Sequence, residues 1–320
     1  MMRNLTVLVI LAAVAWGGWW VVGSRLLRTA MTDAISTARG GDWIVDIDDL
    51  AVSGFPNRFD TRATGVDIAS PEGLWGLTIE RVESFALSYR PDRLIIVPAP
   101  EAVITTPAGP VDVTAGDLRA SGVVRLADGG GLASATVAGQ DLSIEAGTWT
   151  VTLAAGQIAT REVGGPLTHD MALSLDGLNM AGLMTDPRLP DQVTQVRADM
   201  TLTLDRPLQQ GGQLQAIALR DLHVDLGGGT LDLSGDITIG ADGLPRGALT
   251  LGLTEWRDLL TLAPAFDIPP GQVALLAGGL SGMEDTDGTA VLPLTLAGGQ
   301  LMFGSIPLAP LPRLPAPYSP

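Results

Sequence analysis

A chain of 320 residues has room for one extended domain or two of ordinary size. Its 35 acidic side chains against 19 basic ones give a formal charge of -16, which repels phosphate backbones and anionic lipid headgroups over most of the surface and argues against nucleic acid as a partner. With no cysteine, the chain has no disulfides, thiolate nucleophiles or cysteine-ligated metal centres, and with 46% hydrophobic but only 4% aromatic residues its interior must be aliphatic.

The first element is an uncharged apolar run from Leu5 to Val22, close to the ~20 residues that a helix needs to cross hydrocarbon. Trp16, Trp19 and Trp20 fall at i, i+3 and i+4 near its end, where indoles favour the membrane interface, and Arg25 and Arg28 follow. Ala13-Val14-Ala15 imitates a signal-peptidase site, but a cut there would fall inside the apolar run, so an uncleaved signal-anchor is the reading. The arginine count across the span slightly favours the opposite orientation. The bulk is nevertheless expected in the periplasm, because the rest of the chain reads like an envelope β domain. Leu26, Leu27, Ala30, Met31, Ala34, Ile35 and Ala38 continue with helical spacing, which predicts an amphipathic extension packing on the domain and ended by Gly40-Gly41.

From Trp43 the period changes to two. Trp43, Val45 and Ile47 alternate with Ile44, Asp46 and Asp48, and similar runs recur at Val111, Leu142, Thr148, Met171, Met200, Leu222 and Leu231. Asp128-Gly129, Asp176-Gly177, Asp242-Gly243 and Asp287-Gly288 carry hairpin-turn chemistry between such runs. The fold class is therefore mainly β: a transmembrane helix continuing into an amphipathic one, then a long curved antiparallel meander. Two short helices are predicted near the C-terminus, from Glu255 to Ala265 and from Pro270 to Leu280. Strands resume at Ala290 to Leu296 and Gln300 to Phe303, and beyond Ser305 recurring prolines predict an extended or disordered end draped on the surface. The expected organisation is an anchor and juxtamembrane helix at 1–41, a β-rich extracytoplasmic domain at 42–305 and a proline-rich tail at 306–320. An outer-membrane barrel is set aside, because two tyrosines and five phenylalanines cannot furnish its aromatic girdles.

Motifs that would carry chemistry are weak. His169 and His223 are the only imidazoles, and both read as structural, since a triad needs a nucleophile on a strand-to-helix turn. Gly279-Leu280-Ser281-Gly282-Met283 fails the nucleophile-elbow pattern at its last position and reads as a helix terminus. Gly129-Gly130-Gly131 and Gly227-Gly228-Gly229 do not continue as phosphate loops. Asp46-Ile47-Asp48-Asp49 and Glu284-Asp285-Thr286-Asp287-Gly288 lack EF-hand spacing. No catalytic, cofactor-binding or metal-ligating residue is assigned, and no cofactor.

Four stretches together resemble a bacterial envelope family, the domain of unknown function numbered twenty-one twenty-five. They are Trp16-Gly17-Gly18-Trp19-Trp20, Val52-Ser53-Gly54-Phe55-Pro56-Asn57-Arg58, Gly240-Ala241-Asp242-Gly243-Leu244-Pro245-Arg246-Gly247, and Leu292 to Pro310 with Ile306-Pro307-Leu308. The resemblance covers almost the whole chain, and through it a distant similarity to AsmA-like proteins implies membrane assembly or lipid movement, with no catalytic residues. In Gly54-Phe55-Pro56, glycine suits a turn, proline stops pairing and Phe55 is expected to plug the sheet. The expectation is a non-enzymatic protein of the inner membrane, with lipid or another envelope protein as partner. Its rivals are an assembly factor that binds protein only and an envelope hydrolase using paired carboxylates.

Overall fold

The computed structural model describes residues 2–125, 131–183, 186, 188–266 and 268–316. It contains one long helix, α1 (Met2–Gly40), followed by sixteen strands in an antiparallel meander. The strands are β1 (Ile44–Ser53), β2 (Arg58–Ala69), β3 (Gly76–Leu87), β4 (Arg90–Pro98), β5 (Glu101–Thr106), β6 (Gly109–Arg125), β7 (Gly131–Ala146) and β8 (Trp149–Glu162). They continue as β9 (Thr168–Ala181), β10 (Gln192–Leu204), β11 (Leu214–Asp225), β12 (Thr230–Ile239), β13 (Pro245–Leu253), β14 (Ala290–Ala297), β15 (Gln300–Phe303) and β16 (Ile306–Pro310). Two helices, α2 (Trp256–Leu260) and α3 (Pro270–Met283), separate β13 from β14. The mainly-β expectation thus holds, with the long N-terminal helix and both late helices in place. The chain forms two compact units, one of residues 1–123 with 143–147 and the other of 124–142 with 148–320.

In the first unit β1 to β4 pair in sequence, while β5 pairs with both β3 and β6. Val66, Ile79 and Ala99 form its buried centre, with Ile47, Ile68, Leu77 and Val82 packed around them. Helix α1 runs antiparallel to β1, and arginines bridge the two: Arg39 donates to the Val45 carbonyl and Arg28 to that of Leu50. The two spacings match, since Arg39 to Arg28 covers about 16 Å of helix and Val45 to Leu50 about 16 Å of strand. The amphipathic stripe is narrower than its apolar letters suggest. Leu27, Met31, Ile35 and Ala38, spaced four, four and three apart, are half-buried, whereas Leu26, Ala30 and Ala34 face outward because at 100° per residue they leave that face. Trp43 lies before β1 and is exposed rather than inward-facing.

The second unit is governed by strand register. Reading across paired residues, Ile158, Leu173, Ala198, Leu222, Leu233, Leu251 and Leu292 form one continuous row from β8 to β14. The adjacent row runs Gly156, Leu175, Val196, Val224, Leu231, Leu253 and Ala290. Because side chains alternate, these rows put the aliphatic residues on one side and the charges on the other. Over β12 to β14 the apolar side is covered: Trp256 of α2 and Leu280 of α3, 3% and 2% exposed, pack with Leu249, Leu253, Leu292, Leu294 and Leu296 into the main core.

Three expectations need correction. Asp176-Gly177 is not a hairpin turn but lies inside β9, where Gly177 takes φ +65°. The late helical stretch breaks after Leu260 and resumes only as a 3₁₀ turn, Ala263–Phe266. The proline-rich tail is extended as expected, but its start belongs to the sheet: residues 306–310 are strand β16 on β15, and beyond it the Leu314 amide donates to the Gly243 carbonyl. Asp128-Gly129 and the first two glycines of the 129–131 run lie outside the described residues.

Candidate functional site

The feature of the second unit most suited to binding is where α2 and the chain after it stand off from the aliphatic rows. A cavity of about 470 Å³ opens there, within the range of ~300–1,000 Å³ usual for small-molecule sites. Strands β9 to β13 supply Met180, Val193, Leu231, Leu251 and Leu253, while Trp256, Leu259, Leu260, Leu262, Ala263 and Ile268 close it from the helical side. Every lining side chain is hydrocarbon, thioether or indole, so the site offers no hydrogen-bonding side chain beyond the Trp256 indole, whose N–H lies towards the Glu284 carboxylate. Gly177 lies where the lining changes strand parity. With the chain in a left-handed conformation there, the alternation of β9 changes sides, so that Leu178 and Met180 join the face already formed by Met171, Leu173 and Leu175. Towards β8 the same rows continue uncovered: Leu173, Leu175, Leu222 and Val224 are only half-buried, and Ile158 is exposed.

The opposite side holds the ionic groups. A shallow polar depression over β7 to β11 is lined by Ser134, Thr136, Arg161, Asp170, Asp199 and Arg220. Asp170 accepts hydrogen bonds from Thr201 at 2.7 Å and from Arg161 at 3.1 Å, and these partners, with Arg220 nearby, hold its carboxyl below the usual carboxylate range. Asp199, bonded to Arg220, is lowered for the same reason, and Arg220 is raised in return. Both carboxyls are thus paired with arginine, whereas hydrolysis by a carboxylate pair needs one group kept protonated. His223 bonds Asp232 at 2.7 Å on this side, whereas His169 is buried on the aliphatic side opposite Leu202. Among the described residues no group of three or more His, Asp and Glu is placed to hold a metal.

The residues singled out in the apolar helix and in the Gly54 motif come together. The Trp16 indole N–H donates to the Asn57 side-chain oxygen at 3.1 Å, Trp20 to the Arg58 carbonyl at 2.6 Å and Trp19 to the Ser88 carbonyl at 3.1 Å. Phe55 stands edge-on to Trp20 at 5.3 Å, and Phe59 lies 6.3 Å from the same indole. Gly54 has φ +97°, and a β-carbon there would stand 2.8 Å from the Arg58 carbonyl, so the turn needs glycine. Pro56 offers its carbonyl to the Ser88 hydroxyl. Phe55 does not plug the sheet: it is 62% exposed, because the turn projects it past the last paired residues. Val22 is exposed on the helix, and the side chain of Leu5 lies outside those described. Asp242 and Gly243 sit in the β12–β13 turn. There Asp242 accepts from the Leu244 amide and from Arg246, which pulls its carboxyl down to about 2. The sequence missed the cavity, because its lining residues are scattered from 180 to 268 and share only apolarity.

The class these features define is a β-meander protein with one N-terminal helix apolar and long enough, by length and composition, to be a membrane anchor or a signal sequence. The family model described as "Uncharacterized protein conserved in bacteria (DUF2125)" matches residues 20–312, and the chain belongs to that family. No curated protein and no solved structure matches it.

Proposed function

We propose that this is a non-enzymatic protein, held in the inner membrane by α1 with its β-rich bulk in the periplasm, that takes a lipid acyl chain against its aliphatic sheet face. The observation that carries the reading is the apolar cavity beneath α2, continuous in register with rows that stay half-open towards β8. Burying acyl methylenes there is favourable by about 0.8 kcal/mol each, and the lining offers a polar ligand nothing beyond the Trp256 indole. The AsmA-like similarity that the family resemblance implies would point the same way, towards lipid handling in the envelope. The ion-paired state of Asp170 and Asp199 favours this reading over a carboxylate-pair hydrolase.

The test is to purify the full chain in a detergent of low affinity for the site, extract it with organic solvent and quantify lipid by mass spectrometry. A reproducible molar ratio is expected, reduced several-fold in Leu251→Asp and kept in Leu251→Met. Clean extracts from a folded protein, with no site for a fluorescent fatty acid, would leave the protein-only assembly factor as the better account.

A further inference from the structure

Helix α1 does not leave the apolar run as a free stalk. Its three tryptophans, at the end of residues 5–22, are each hydrogen-bonded to one of two turns of the first unit: Trp16 and Trp20 to the β1–β2 turn, and Trp19 to the β3–β4 turn. The two turns are also tied to each other. The Ser88 amide donates to the Asn57 carbonyl at 2.8 Å and the Ser88 hydroxyl to that of Pro56, with Ser88 fully buried between them. Trp16 is about 9 Å of helix rise before Val22, so both turns stand at the level of the last turns of the apolar run, the depth that indoles occupy at a bilayer surface.

The surface at that level has the chemistry of a membrane interface. Phe55 is 62% exposed, Tyr89 57%, Trp19 54% and Leu87 40%, although Trp16 and Tyr89 rings approach to 6.4 Å. Stretches 53–58 and 87–90 contain no acidic residue in a chain of charge -16, and each closes on a half-exposed arginine, Arg58 and Arg90, whose charge is balanced by Asp60 and Asp92 just beyond. The backbone is prepared for a poorly hydrating layer, because the carbonyls of Gly54, Pro56, Asn57, Arg58 and Ser88 all accept hydrogen bonds from within the protein.

We propose that the β1–β2 and β3–β4 turns dip into the headgroup layer of the bilayer that α1 crosses, with Phe55, Leu87 and Tyr89 as a membrane footing. The chain then stands on the membrane by a helix and two turns, and β1 rises from that surface. This rests on the reading that α1 spans a membrane. Since β1 recedes from the footing at ~3.3 Å per residue, Ile44 at its other end stands about 30 Å away, in water.

The absence of cysteine allows a direct test in the full chain. Leu11→Cys, Ile44→Cys, Phe55→Cys and Tyr89→Cys are each labelled with an environment-sensitive fluorophore. The labelled proteins are reconstituted into vesicles of phosphatidylethanolamine and phosphatidylglycerol, then titrated with nitroxide-labelled lipid and with aqueous iodide. Labels at 11, 55 and 89 should be quenched by lipid nitroxide and label 44 by iodide. Lipid quenching at 11 with iodide quenching at 55 and 89 overturns the footing and leaves the anchor standing. Iodide quenching at 11 removes the anchor itself. Protection of 55 and 89 from both quenchers means a protein covers them, and also overturns the proposal. In a label-free arm, tryptic cleavage after Arg58 in the same vesicles should quicken roughly tenfold in the Phe55→Ser/Tyr89→Ser variant, with cleavage in the second unit unchanged; equal rates count against the footing.

Discussion

Replacing Gly177 with alanine tests the device that completes the apolar face. The residue sits at φ +65° inside β9, and a left-handed conformation costs a residue with a β-carbon about 1–2 kcal/mol. The new β-carbon would also stand 3.0 Å from that of Ala154 on β8, so that strand must yield slightly. Against this, alanine restricts the unfolded chain and recovers about 0.4–1 kcal/mol. The net expectation is a loss of about 1 kcal/mol, rising to about 2–3 kcal/mol for Gly177→Val, whose branched side chain suits that conformation least. Gly278→Ala is the control of opposite sign. It lies on α3 with nothing near the added carbon, so it should gain about 0.5–1 kcal/mol. Urea unfolding of the full chain in detergent micelles, followed by circular dichroism, measures all three against the parent. If Gly177→Ala proves as stabilising as Gly278→Ala, or Gly177→Val leaves the midpoint unmoved, the side-switch at Gly177 is not what builds the face.

Leu280→Ala should cost about 3–4 kcal/mol in the same unfolding assay, since a 2%-exposed leucine between α3 and β14 leaves a cavity that cannot fully collapse. Trp20→Ala loses a hydrogen bond and two aromatic contacts, about 2–4 kcal/mol together, and should speed proteolysis between α1 and β1; an unchanged digestion pattern would sink the docking argument. Acid should act through the ion-paired carboxyls. Asp186 and Asp242 are held at about 2 by Arg188 and Arg246, and Asp170, Asp199, Asp92 and Glu284 are lowered as well. Because their folded values lie below the unfolded ones of ~4, the stability they add is complete above pH ~4 and is lost as pH falls towards 2. Melting temperature should decline over that window, less so in Asp242→Asn; identical slopes would show that the Asp242 pair contributes nothing.

The apolar N-terminal helix, the mainly-β class and the late helices were legible because each is local. An uncharged run as long as residues 5–22 can satisfy its backbone in hydrocarbon only as a helix, and period-two alternation in β9 to β12 marks one wet and one dry side whichever partner each strand finds. Proline at the first turn of α3 likewise signals a start without reference to anything distant. The expectations that failed are those in which a residue's meaning depends on partners far along the chain. Asp176-Gly177 has the letters of a turn, but β8 and β10 pair on both sides of it and convert it into a side-switch within a strand. Phe55 has the letters of a core plug, but the turn that carries it projects it outward beside Trp20.

Composition and spacing alone determined the apolar helix, the sheet with one aliphatic side, and the lack of disulfide and thiolate chemistry. Only the tertiary structure decided that the tryptophans of α1 bond to the turns at 54–58 and 88, that the tail begins as a paired strand, and that Met180, Val193, Leu251 and Ile268 surround one cavity. The reason is physical: alternation records which side of a strand is dry, while strand register, which places residues 70 or more positions apart in one row, depends on how the whole meander pairs.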